Sequence, residues 1–154
     1  MSNPWQKAVS VTLSAVDPVS KTGVYQLQPV GPDPIPVGPD GSLVFDNDRH
    51  NGFNIDFVLT DQTGQNYAFP PNNKKQQAVS SQMGPTNACP PQGILEVFSP
   101  MNVSGPNNSI LSVHNPNQGN VVGTFSYVLW LTNDNGSNYI KLDPGGTNNN
   151  GMTS

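Results

Sequence analysis

Residues 121–132 read VVGTFSYVLWLT, residues 139–142 read YIKL, and Asn135-Gly136 lies between them. Asn-Gly is the favoured centre of a two-residue type I′ turn, because both central residues take positive φ there. Folding about that turn sets Leu131 opposite Ile140 and Leu129 opposite Leu142, with Trp130 facing Lys141 and Thr132 facing Tyr139. One register therefore puts the aliphatic side chains on one face, and a slip of one residue would turn them all to the other. On this pair the chain reads as a β protein.

The same alternation recurs upstream. Val9, Val11, Leu13 and Ala15 alternate with Ser10, Thr12 and Ser14, and Tyr25 and Leu27 share a face of residues 24–28. Phe53, Ile55, Phe57 and Leu59 point one way and Asn54 and Asp56 the other. With residues 42–45, which the turn DNDRHNG would join to 53–59 as an antiparallel hairpin, and with 66–69, 94–98 and 109–114, about eight strands are expected. That spacing predicts an antiparallel two-sheet sandwich with an immunoglobulin-like or Greek-key path, a small closed barrel being the alternative. The one helical candidate, residues 72–83, has only Ala78, Val79 and Met83 to bury, which supports one or two turns at most.

The chain has 154 residues, which fits one domain over residues 1–144 followed by a tail, GGTNNNGMTS, expected to be disordered. Charged residues make up 10%, against a usual share of about 25%, so the surface is polar but weakly charged. Six Lys and Arg against ten Asp and Glu leave no basic stripe to neutralise phosphates, which argues against nucleic acid and anionic membranes. A single cysteine, Cys89, excludes an internal disulfide and any multi-cysteine metal site. The first residues show no secretory leader and no run long enough to span a bilayer, so a cytoplasmic location without membrane insertion is expected. Sequons at Asn102, Asn107 and Asn135 carry meaning only in a eukaryotic secretory pathway.

Two long connections stand out. Residues 29–41 contain PVGPD twice; this is either a polyproline II segment offered to a partner or a stiff connection whose prolines protect strand edges. Residues 70–93 exceed the usual length of a structureless loop and read either as a lid over a small-ligand site, carbohydrate being the first guess, or as a crossover between sheets.

Chemical motifs are sparse. A copper centre of the blue type needs His, then Cys, His and Met on one short loop; His50 and Cys89 are present, but the next histidine is His114. The acidic turn Asp46 to Gly52 departs from calcium-loop spacing by one residue, contains Arg49 and lacks a closing Glu. No nucleophile elbow is present, Cys89 has no neighbouring charge to activate it, and Glu96 is the only glutamate. The chain therefore reads as non-enzymatic and without a cofactor. Its candidate binding residues are Trp130, Tyr139 and Lys141, on the strand face opposite the expected core: an aromatic platform for a sugar or a protein, unless the strand is buried on both sides or Lys141 covers the indole.

The pair YVLWLT and YIKLDP, residues 127–144, resembles the last hairpin of small uncharacterised bacterial β-sandwich proteins of immunoglobulin-like or cupredoxin-like appearance. The resemblance implies a fold and carries over no catalytic residue. The expectation drawn from all of this is an interaction or assembly module that binds a protein partner or associates with itself.

Overall fold

The computed structural model describes residues 5–38, 42–45, 52–117, 122–143 and 145–148. Among them ten strands form one mixed sheet. In chain order they are β1 (Trp5–Asp17), β2 (Thr22–Val30), β3 (Leu43–Phe45), β4 (Phe53–Asp61), β5 (Val79–Met83), β6 (Ser99–Ser104), β7 (Ile110–Asn115), β8 (Gly123–Leu131), β9 (Ile140–Leu142) and β10 (Gly145–Asn148). They lie side by side as β3-β10-β8-β9-β2-β1-β4-β7-β6, and β5 flanks the other side of β8.

The expected alternation decides the faces. Val9, Val11 and Leu13 of β1 are fully buried, as are Ile55 and Phe57 of β4. The opposite face of β4 carries cross-strand polar pairs with β7: Asn54 Oδ1 lies 2.8 Å from His114 Nδ1, and the Ser112 hydroxyl donates to Asp56 Oδ1 at 2.6 Å. On the concave side the sheet curls almost into a barrel and closes on an aromatic cluster. Phe98 sits at its centre, 4.9 Å from Tyr127, 5.3 Å from Phe125, 6.0 Å from Phe45 and 6.2 Å from Phe57 between ring centroids, mostly edge to face.

Several expectations need correcting. The sheet is mixed, not antiparallel throughout: β1 runs parallel to β4, β10 to β3, and β2 to β9 through Thr22 and Lys141. Residues 42–45 and 53–59 do not form a hairpin, since β3 pairs with β10 and β4 lies between β1 and β7. Residues 66–69 and 94–98 contribute only the isolated bridges of Ala68 to Thr132 and Leu95 to Ser81. The 70–93 stretch is far from structureless, for it holds a 3-10 turn at Asn72–Gln77 and all of β5. Residues 145–148, expected in the tail, pair with β8 and β3; residues 149–154 lie outside the described residues. The strand-end pair behaves as read: Leu129 faces Leu142, Trp130 faces Lys141 and Leu131 faces Ile140.

Most sheet edges are covered. The side-chain amide of Asn72 imitates a neighbouring strand on β6, donating to the Val103 carbonyl at 2.8 Å and accepting from the Val103 amide at 2.7 Å, and Lys75 Nζ donates to the Met101 carbonyl at 2.8 Å. The outer side of β5 is met by residues 94–96: the Ser81 amide donates to the Ile94 carbonyl at 2.8 Å and the Glu96 amide to the Ser81 carbonyl at 3.0 Å. Along β3 the Val44 amide donates to the Pro36 carbonyl at 2.8 Å, so the proline-rich connection lines this edge.

Candidate functional site

The outer face of β8, where an aromatic platform was expected, lies under residues 84–93. Trp130 is half-buried, and its Nε1–H donates to Ser80 Oγ at 2.9 Å. Ser80 in turn donates to the Pro90 carbonyl at 2.7 Å, so indole, serine and strap form one relay. Val128, opposite Ser80 and facing outward, is fully buried. Lys141, opposite Trp130, is also half-buried. Next to Pro90 on the strap, Cys89 is exposed and lies near Asp143, whose carboxyl burial pushes above the usual range.

Tyr139 belongs to a different place. The 132–139 loop, the 61–67 turn and the turn between β1 and β2 meet at one end of the sheet around a cleft of about 170 Å3. Tyr67, Tyr139, Asn133, Asn138 and Lys21 line it together with Val16, Pro18 and Ile140. Trp130, Tyr139 and Lys141 therefore do not share one platform: the first and third are cross-strand neighbours, and the second faces the end cleft.

Local chemistry makes the cleft walls rigid. Asn135 and Gly136 take φ of 58° and 90°, as a type I′ turn requires, yet the ladder stops at Leu131 and Ile140 because Asp134 organises the rest. Its carboxylate accepts from the Asn138 amide at 2.9 Å, from Asn138 Nδ2 at 3.0 Å and from the Thr132 hydroxyl at 2.8 Å. Those bonds, Asn138 foremost, hold the Asp134 carboxyl down at about 2. A side chain at Gly136 would meet the Tyr139 hydroxyl at 2.7 Å, so glycine serves both the turn and the fit. On the facing wall, Asp61 accepts from the Thr63 amide at 2.9 Å and the Tyr67 amide at 2.8 Å, and Asn133 Nδ2 ties the walls together by donating to the Gln65 carbonyl at 3.1 Å. Burial, and then the charges of Asp61 and Asp134, push the Tyr67 phenol up; burial and Asp134 do the same for Tyr139.

A second feature is the outer edge of β2. Beyond Thr22 no described strand pairs with it. Gly23 lets β2 approach β9 closely, since a Cβ there would overlap Leu142 Cδ2 and Leu13 Cδ1. After that contact the strands separate and β3 takes the place beside β10. Val19, Val24, Val30 and Val37 are the exposed large aliphatic residues among those described, and all fall on β2 or the segments flanking it.

At the opposite end, two clefts of about 160 and 390 Å3 share Trp5, Lys7 and Asp33. Lys7 closes on itself there, its ammonium 5.1 Å from the Trp5 ring centroid and 3.3 Å from Asp33 Oδ2.

His50 and the acidic turn through Asn51 lie outside the described residues. His114 stands on β7, separated by β4, β1 and β2 from β9, after which comes Asp143, the residue near Cys89. Among the described residues no group of three or more His, Cys, Asp or Glu could hold a metal ion, and no helix is long and apolar enough to cross a membrane. Tyr67, Lys21, Asn133 and Asn138 were not anticipated as site residues. They come from three separate turns, and the only hint was the run of amides around Asn135-Gly136. No protein-family model matches the chain, and a search of curated proteins finds no match.

Proposed function

We propose that this protein is a non-enzymatic assembly module that pairs with a second copy of itself along β2. The observation that carries the reading is the edge itself. β6, β5 and β3 are each covered by a side chain, a crossing segment or a loop, whereas β2 beyond Thr22 meets no described strand. Natural edges are blunted by charge, proline or a covering segment, but β2 reads TGVYQLQPV, with no charged residue and its one proline, Pro29, next to its end, which leaves residues 24–28 unprotected by either. A two-fold antiparallel pairing centred on Gln26 sets Val24 against Gln28 and Tyr25 against Leu27, matching the self-complementary patch of an isologous dimer. The acidic balance of the chain turns such a surface away from nucleic acid and anionic membranes.

The same reading takes the curled sheet as two facing layers on an immunoglobulin-like or Greek-key path, β6-β7-β4-β1-β2 against β5-β8-β9 with β10 and β3. Contact of Phe57 with Tyr127, at 5.9 Å between ring centroids, supports it.

Light scattering after size exclusion tests the assembly. The native chain is expected to show a mass that rises with concentration and survives high salt, because the pairing is of backbone and neutral side chains. Val24→Lys with Gln28→Lys places like charges across the joint and should give a monomer with an unchanged circular dichroism spectrum. A native chain that stays monomeric, or a dimer indifferent to the double substitution, overturns the proposal.

A further inference from the structure

The end cleft carries an inference independent of the β2 edge: we propose that it binds a single neutral pyranose ring. Its lining suits a flat ring with one apolar face, for the rings of Tyr67 and Tyr139 share it with the aliphatic side chains of Val16 and Ile140. At about 170 Å3 it falls below the roughly 300–1,000 Å3 of sites for larger ligands, which limits it to one ring.

The polar groups are fixed before a ligand arrives. Asn133 spends its Nδ2 on the Gln65 carbonyl and Asn138 donates through Nδ2 to Asp134 Oδ2. Their Oδ1 atoms, the Lys21 ammonium and the Tyr67 hydroxyl have no hydrogen-bond partner among the described residues. Two anchored amide oxygens, a phenol and an ammonium supply both acceptors and donors, as adjacent hydroxyls of a sugar require. Because the Asp134 bonds already hold the loop, little ordering accompanies binding. Charge selects for neutrality: Asp61 and Asp134 act on the Tyr67 phenol, and Lys21 is the only cation on the lining. Two nearby carboxylates against one ammonium leave no net positive charge to hold a carboxylate or phosphate.

Amide chemical-shift titration of the native chain with methyl β-glucopyranoside, methyl β-galactopyranoside and N-acetylglucosamine tests this. At least one is expected to give saturable shifts confined to residues 16–21, 61–67 and 133–140, with a dissociation constant in the millimolar range. Tyr67→Ala removes the stacking surface and should abolish the response. Asn133→Ala, at an exposed position, should weaken it about tenfold. Absence of saturable shifts with all three sugars overturns the proposal, as do shifts centred elsewhere or tighter binding of methyl glucuronide or inorganic phosphate. The β2 double substitution should leave the titration unchanged, so the two proposals fail separately.

Discussion

Ser81 shows how much one side chain can conceal. It is fully buried, and its register opposite Tyr127 turns it toward the core, where its hydroxyl accepts from the Val97 amide at 3.0 Å and the Phe98 amide at 2.9 Å. Those bonds bring Phe98 to the centre of the aromatic cluster. A serine at an inward position also breaks the apolar alternation of VSSQM, which is why residues 79–83 did not read as a strand. Ser81→Ala would leave two buried amide donors without their acceptor, each costing about 1–3 kcal/mol. A loss of about 2–6 kcal/mol in chemical denaturation is expected. A change within the error of the measurement would mean that other acceptors take over those amides. The three residues singled out for binding show the same limit. Alternation correctly set Trp130 across from Lys141, but the Ser80 and Pro90 relay that covers the indole could not be read from spacing.

At the scale of elements, the 132–139 loop and the 84–93 strap each hang on a few bonds. The Asp134 carboxyl is held at about 2, below its ordinary 3.8, so the folded chain binds that proton less readily than the unfolded chain. The resulting stabilisation is complete above the ordinary carboxylate value and is lost as pH falls from about 4 towards 2. Denaturation midpoints of native protein and Asp134→Asn should therefore converge over that interval. A gap that stays constant would remove the linkage. For the strap, Trp130→Phe keeps an aromatic ring but deletes the donor to Ser80. Hydrogen exchange should then accelerate at residues 84–93 while the amides of β1 and β4 keep their protection. Equal protection in the variant would show that the remaining bonds of the strap, Thr124 to the Gly84 carbonyl, Ser80 to the Pro90 carbonyl and Gln92 to the Gln77 carbonyl, hold it without the indole. The register of the loop was legible because Asn135-Gly136 fixes its centre. Its length was not, because Thr132 and Asp134 compete with the ladder for the same backbone groups.

Over the whole molecule, faces and neighbours have different origins. The inward sets of β1, β4 and β8 follow from period-two alternation, since burial of Val9, Phe57 or Leu129 depends on the side chain alone. The strand beside each of them does not follow, because every strand offers the same backbone donors and acceptors. The expected hairpin between residues 42–45 and 53–59 failed on this point, and so did the antiparallel path, once β4 docked parallel to β1. The tail reading erred similarly: residues 145–148 offer little to bury, yet their backbone fits between β8 and β3. By itself, then, the sequence determined an all-β chain, the core-facing side of its long strands, the Asn135-Gly136 turn and a weakly charged surface, all properties of neighbouring residues and their period. Only the tertiary structure decided the mixed strand order, the covered Trp130, the edge of β2 that no described strand pairs with beyond Thr22 and the cleft shared by Tyr67 and Tyr139, because each depends on segments distant along the chain being brought into contact.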